Sequence, residues 1–117
     1  PSLEDLRELM KLAEDLGVPV DPYVEELLSL KLLELLERVE VDPLNVRILE
    51  GALSLAVLLD EMGALEGRLV EEARVKVALL RNRYYSGIRS AADAGDEVSW
   101  VWIKLFTSLS RTLRVRV

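Results

Sequence analysis

Apolar residues recur every three or four positions along almost the whole chain, and single prolines and glycines interrupt the pattern at widely spaced points. That spacing places a continuous stripe on one side of a helix, whereas a strand needs alternation with a period of two. The fold class is thereby narrowed to all-α. Leu3, Leu6, Leu9, Met10, Ala13 and Leu16 form the first stripe, opened by a capping-box pair Ser2 and Asp5 and closed by Gly17. Asp21 before Pro22 and Asp42 before Pro43 each offer an N-cap acceptor ahead of a proline whose missing N–H costs nothing in the first turn. These signals predict a second helix from about Pro22 to Val39 and a third from about Pro43 to Met62, stopped by Gly63.

The third helix is apolar nearly all round, through Leu44, Val46, Ile48, Leu49, Ala52, Leu53, Leu55, Ala56, Val57, Leu58 and Leu59. Such a helix belongs at a domain centre or in an interface. A fourth helix is predicted from about Ala64 to Ala94, with a stripe through Leu69, Ala73, Val77, Leu80, Tyr84, Ile88 and Ala91. Val75 and Leu79 project from its other side, so cover on two faces is expected, and Gly67 and Gly87 are candidate breaks. Gly95 ends it, Asp96 caps a last helix, and Val98, Trp102, Leu105, Leu109 and Leu113 form the final stripe. From Thr112 the tail alternates Leu113, Val115, Val117 with Arg114 and Arg116, the period of a strand, and reads as a short strand, the start of a linker or a frayed end.

At 117 residues the chain predicts one domain, 1–117, folded as a compact bundle of about five helices. Half the residues are apolar and only 5% aromatic, so the core must be built from Leu, Val and Ala. Cysteine and histidine are absent. Disulfides, thiolate or imidazole catalysis and Cys- or His-ligated metals are excluded with them. Glutamine is missing and asparagine occurs only at Asn45 and Asn82, while Glu, Arg, Leu and Val abound, a bias associated with very hot habitats. No signal-peptide pattern is present, and the most apolar run, Ile48 to Leu59, falls short of the roughly 20 residues that span a bilayer. A cytoplasmic location is expected.

Charge is sorted along the chain. Residues 1 to 72 carry 18 acids against 6 bases, and residues 73 to 117 carry 3 against 9, within a net charge of −6. Folding alone gives no reason for such a split, which points to surfaces aimed at different things. The basic cluster Arg74, Lys76, Arg81, Arg83 and Arg89 is interleaved with Tyr84 and Tyr85. Arg81, Tyr85 and Arg89, four apart, line one side of a helix and suit a phosphate backbone with a ring for stacking. Two readings stay open: contact with nucleic acid or a partner, and pairing with the acids of the first half. The net charge of −6 favours the second. Trp100 and Trp102 diverge by about 200° on a helix. Trp102 joins the inner stripe, which leaves Trp100 exposed or covered by a partner subunit.

No residue set supplies a nucleophile with a base, and adjacent acids such as Glu25 and Glu26, Asp60 and Glu61, or Glu71 and Glu72 point about 100° apart on a helix. Asp93, Asp96 and Glu97 beside Gly95 lack calcium-loop spacing and read as capping residues. The glycines stand singly, so no phosphate loop is formed. No enzyme, cofactor, metal or small-molecule substrate is expected.

The order of features resembles the helical domain of the GINS family, an archaeal and eukaryotic complex that assembles with the replicative helicase. Leu6-Arg7-Glu8-Leu9 looks like its opening helix, and Val18-Pro19-Val20-Asp21-Pro22-Tyr23 like its acidic proline-aromatic segment. Arg83-Tyr84-Tyr85-Ser86-Gly87-Ile88-Arg89-Ser90-Ala91 is similar to its arginine-rich helix, and Asp96 to Leu113 to its closing amphipathic helix. The family usually adds a small β-rich domain, which nothing here could form unless Arg114 to Val117 marks its junction, and Gly87 stands where a lysine is usual. The resemblance implies a non-enzymatic scaffold in a homo- or hetero-oligomer of protein subunits, with nucleic acid handled indirectly and no membrane. A small helical subunit of a CRISPR effector complex would share these features, as would an unrelated helical homo-oligomer.

Overall fold

The computed structural model describes residues 3–17 and 22–116, with the side chains of Leu3 and Leu6 left aside. The Ser2 cap, Asp21, the segment 18–20 and Val117 lie outside the described residues. The chain is all-α. Helix α1 covers Leu3–Asp15, α2 Pro22–Val41 and α3 Val46–Glu61; α4 (Arg68–Leu80) continues through a π-helical turn, Arg81–Tyr85, into α5 (Ser86–Asp93), and α6 covers Glu97–Thr112. With Arg68 to Asp93 counted as one helix of about 39 Å, five helices are described.

The apolar α3 sits centrally, packed on α2 and α6. Leu49, Ala52, Ala56 and Leu59 are fully buried on it. Gly51 faces α2, where a Cβ would make an ordinary 3.4 Å contact with Leu35 Cδ1. The long helix divides its packing: α4 lies against α2, and α5 against α6. Val70, Ala73, Val77 and Leu80 face inward before the π turn, and Ile88 and Ala92 after it. Trp102 stacks on Phe106 with ring centroids 4.5 Å apart, and Tyr85 packs tilted against both rings. Helix α1 joins this body through half-buried Met10, while Leu9, Leu12 and Leu16 stay exposed.

Several boundaries differ from the sequence expectation, each for a hydrogen-bonding reason. Asp42 is not an N-cap, because its N–H still bonds to the Arg38 carbonyl and extends α2; Asn45 takes the cap position of α3 instead. Helix α3 closes with Gly63 at φ +69° and the Ala64 N–H reaching back to the Leu59 carbonyl. This Schellman turn spends residues that periodicity assigned to the next helix, so α4 starts after Gly67. Gly87 breaks nothing; the irregularity lies at Arg81–Tyr85. Val75 and Leu79 are exposed, since α2 covers only one side of α4, and Val98 is exposed as well.

The tail forms no strand among the described residues. Arg114 adopts φ +61°, and the Val115 N–H bonds to the Ser110 carbonyl at 2.7 Å, a second Schellman turn made without glycine. With no neighbouring strand to pair with, the chain satisfies α6's last carbonyls instead. No helix among the described residues is long and apolar enough to cross a membrane.

Candidate interaction surfaces

Each basic residue singled out from the sequence can be placed by its partners. Arg74 is a clamp. Its side chain is 19% exposed, its Nε donates to the Leu113 carbonyl at 2.7 Å, Nη2 donates to the Leu65 carbonyl at 2.8 Å, and Nη1 meets Glu71 at 3.0 Å. One guanidinium therefore fastens α4 to the end of α6 and to the turn before α4, using the several donors that only arginine carries.

Lys76 and Arg83 converge on Glu40 at the end of α2, at 3.3 and 3.4 Å. The Tyr84 hydroxyl donates to the Glu40 carbonyl at 2.7 Å, and the Arg83 guanidinium lies 5.2 Å from the Tyr84 ring centroid. Three polar groups of the long helix thus converge on α2 at a residue that no sequence signal marked. Glu40 is one acid among 18 in the first half; only the fold selects it.

Arg81, Tyr85 and Arg89 do not form a common outward face. The π turn alters the register between Arg81 and Tyr85. Arg81 donates to the Arg116 carbonyl and to Asn82 Oδ1. Tyr85 is half-buried against Trp102 and Phe106, so its ring is no open stacking platform. Arg89 pairs with Asp93 at 3.2 Å. The Tyr85 hydroxyl, and then Asp93, raise its already high pKa. Of the flagged bases, Arg74, Lys76 and Arg83 pair with acids of the first half, while Arg81 and Arg89 find partners within the second.

Trp100 is 46% exposed, and Lys104 one turn on places its Nζ 5.4 Å from the indole centroid. Trp102, two residues away, is fully buried. Asp96 caps α6: its carboxylate accepts from the Ser99 N–H at 2.9 Å and from the Ser99 hydroxyl. Both bonds hold its pKa below the ordinary carboxylate value. Among the described residues no three acids gather into a group that could hold a metal ion.

Sequence reasoning gave no contact role to Lys104, Arg111, Arg114 and Arg116. The signal was present, since no acid follows Glu97. No protein-family model, curated protein or solved structure matches the chain.

Proposed function

We propose that the chain is a non-enzymatic helical assembly subunit of a nucleic-acid-handling complex, in keeping with its resemblance to the helical domain of the GINS family. The observation that carries this reading is the open stripe on α1. Leu9, Leu12 and Leu16, spaced by three and four, are 59%, 56% and 69% exposed on one helical face. Isolated exposed leucines are ordinary, but an aligned stripe on one helical face is the pattern of a face awaiting a partner helix. The core beneath is already filled without it, by Trp102, Phe106 and the leucines of α2, α3 and α6. The stripe is thus surplus to folding and serves assembly.

Light scattering across micromolar concentrations, alone and with candidate replication subunits, tests the reading. A mass above the 13.2 kDa of one chain, or a defined complex that is lost on Leu12→Glu, is expected. A monodisperse single chain under every condition, with Leu12→Glu unchanged, overturns it.

A further inference from the structure

The residues after Glu97 contain no acid but include Lys104, Arg111, Arg114 and Arg116, in a protein of net charge −6. Two of them, Lys104 and Arg111, fall into line on α6. Trp100, Lys104, Ser108 and Arg111, spaced by four, four and three, are all exposed and occupy the side opposite buried Trp102, Phe106 and Leu109. The line runs about 16 Å along the helix. The cation–π contact between Lys104 and Trp100 confirms that these two share a face. Beyond Arg111 the backbone is fixed from below, because Arg74 holds the Leu113 carbonyl and Arg81 the Arg116 carbonyl. Arg114 approaches Glu66 at 4.0 Å; among the described residues, Lys104, Arg111 and Arg116 have no carboxylate partner.

We propose that this outer face of α6 binds single-stranded nucleic acid, with Trp100 stacking on a base, and Lys104 and Arg111 on the line together with Arg116 on the tail beyond it neutralising phosphates. The inference rests on the nucleic-acid-handling role proposed above and moves the contact away from the Arg81, Tyr85 and Arg89 stripe. A ring open at one end of an acid-free cationic line is the arrangement that single strands require, since every base has a π face and every step a charge. A duplex would leave Trp100 without a base to stack on. A protein partner fits less well: of the four residues in this line Trp100 is the one apolar side chain, and a single half-exposed ring is far below the roughly 800 Å² per side of a stable protein interface. Ser108 supplies a neutral hydroxyl between the cations. The nearest acid on this helix, Glu97, lies one turn before Trp100, so the line is polarised with its aromatic end toward the acid.

The test is titration of the full chain with a short oligothymidylate, followed by anisotropy of a label on the DNA and by tryptophan emission. Weak binding, with Kd on the order of 10 to 100 μM at moderate salt, and quenching of the exposed indole are expected. At about −0.7 per phosphate on a single strand, three contacts give a slope near −2 in log K against log salt. The Lys104→Ala/Arg111→Ala pair should flatten it to about −0.7. Trp100→Ala should weaken binding about tenfold or more and abolish the quench, while Trp100→Phe retains most of the affinity. Arg89→Ala should change neither. Absence of binding overturns the proposal, as does binding indifferent to Trp100→Ala. Equal competition by polyglutamate also overturns it and points to an acidic protein as the ligand. An assembly that forms but ignores the oligonucleotide sinks this inference alone; a monomer that binds it sinks the assembly reading alone.

Discussion

Trp100 and Trp102 stand two positions apart on one helix and meet opposite fates. Trp102 is fully buried and stacked on Phe106 with the ring planes only 7° apart. Trp100 keeps nearly half its surface in contact with water, beside one lysine. The residue type is the same, so the difference comes from angular position alone. The inward face of α6 is committed to the fold through Trp102, Phe106, Leu109 and Leu113, whereas the outward face is free to do something else. Stability and binding should therefore separate cleanly between the two faces.

The largest test of that separation is Trp102→Ala. Removing a fully buried ring from its cluster with Tyr85 and Phe106 should cost about 3–5 kcal/mol, read as a shift of the urea midpoint. A loss below about 1 kcal/mol would mean that the inward face is not what holds α6. Next comes Arg74→Ala, which leaves the Leu65 and Leu113 carbonyls without their donor. About 1–3 kcal/mol should be lost, with faster amide exchange in the last turn of α6, and Arg74→Lys should recover only part of it because one ammonium cannot reproduce the fork.

A smaller effect is expected at the other end of the helix. Asp96 has its pKa lowered by the Ser99 bonds from an ordinary 3.8. Its stabilising share is therefore present above the unfolded value and disappears as pH falls through the lower, folded one. The stability difference between the native chain and Asp96→Ala should be constant near neutrality and shrink in strong acid. A difference that stays constant down to the lowest pH would show that the cap acts without its charge. The smallest effect belongs to Trp100→Ala, which should move stability by no more than about 0.5 kcal/mol. A larger drop would place Trp100 in the core and erase the contrast.

The opposition of the two tryptophans was legible in advance because it needs only the angle per residue. The helices were legible for a related reason: apolar spacing is a local signal, and Gly63 and Gly95 stop helices by adopting the positive φ that glycine tolerates. Arg114 performs the same closure without glycine, so the alternation of the tail read as strand-like. Asp42 looked like a cap because the sequence does not reveal that α2 keeps its N–H. The role of Arg74 was invisible for a deeper reason. Two of its partners are backbone carbonyls, which carry no residue identity, and they lie 9 and 39 positions away. Lys104, Arg111 and Arg116 were written in plain sight, but counting cations in the more crowded run from Arg74 to Arg89 drew attention to residues that the fold has already employed.

The π turn between Leu80 and Ser86 governs which changes the long helix can absorb. It makes room for one residue more than an α-helical turn holds, between the segment packed on α2 and the segment packed on α6. Deleting a single residue among Arg81, Asn82 and Arg83 would restore an uninterrupted α-helical ladder, a local gain. Because the widened turn absorbs the extra residue locally, the flanking segments would keep nearly the same facing, Val77 and Leu80 before it and Ile88 and Ala92 after it still turned inward. Exchanging Arg81 or Arg83 for another side chain leaves that facing intact but gives up the contact each one makes. In its tolerance of change, then, this stretch is permissive about length and stricter about identity: a chain one residue shorter between Leu80 and Ile88 should keep the fold, whereas Arg81 and Arg83 are held to the Arg116 carbonyl and to Glu40.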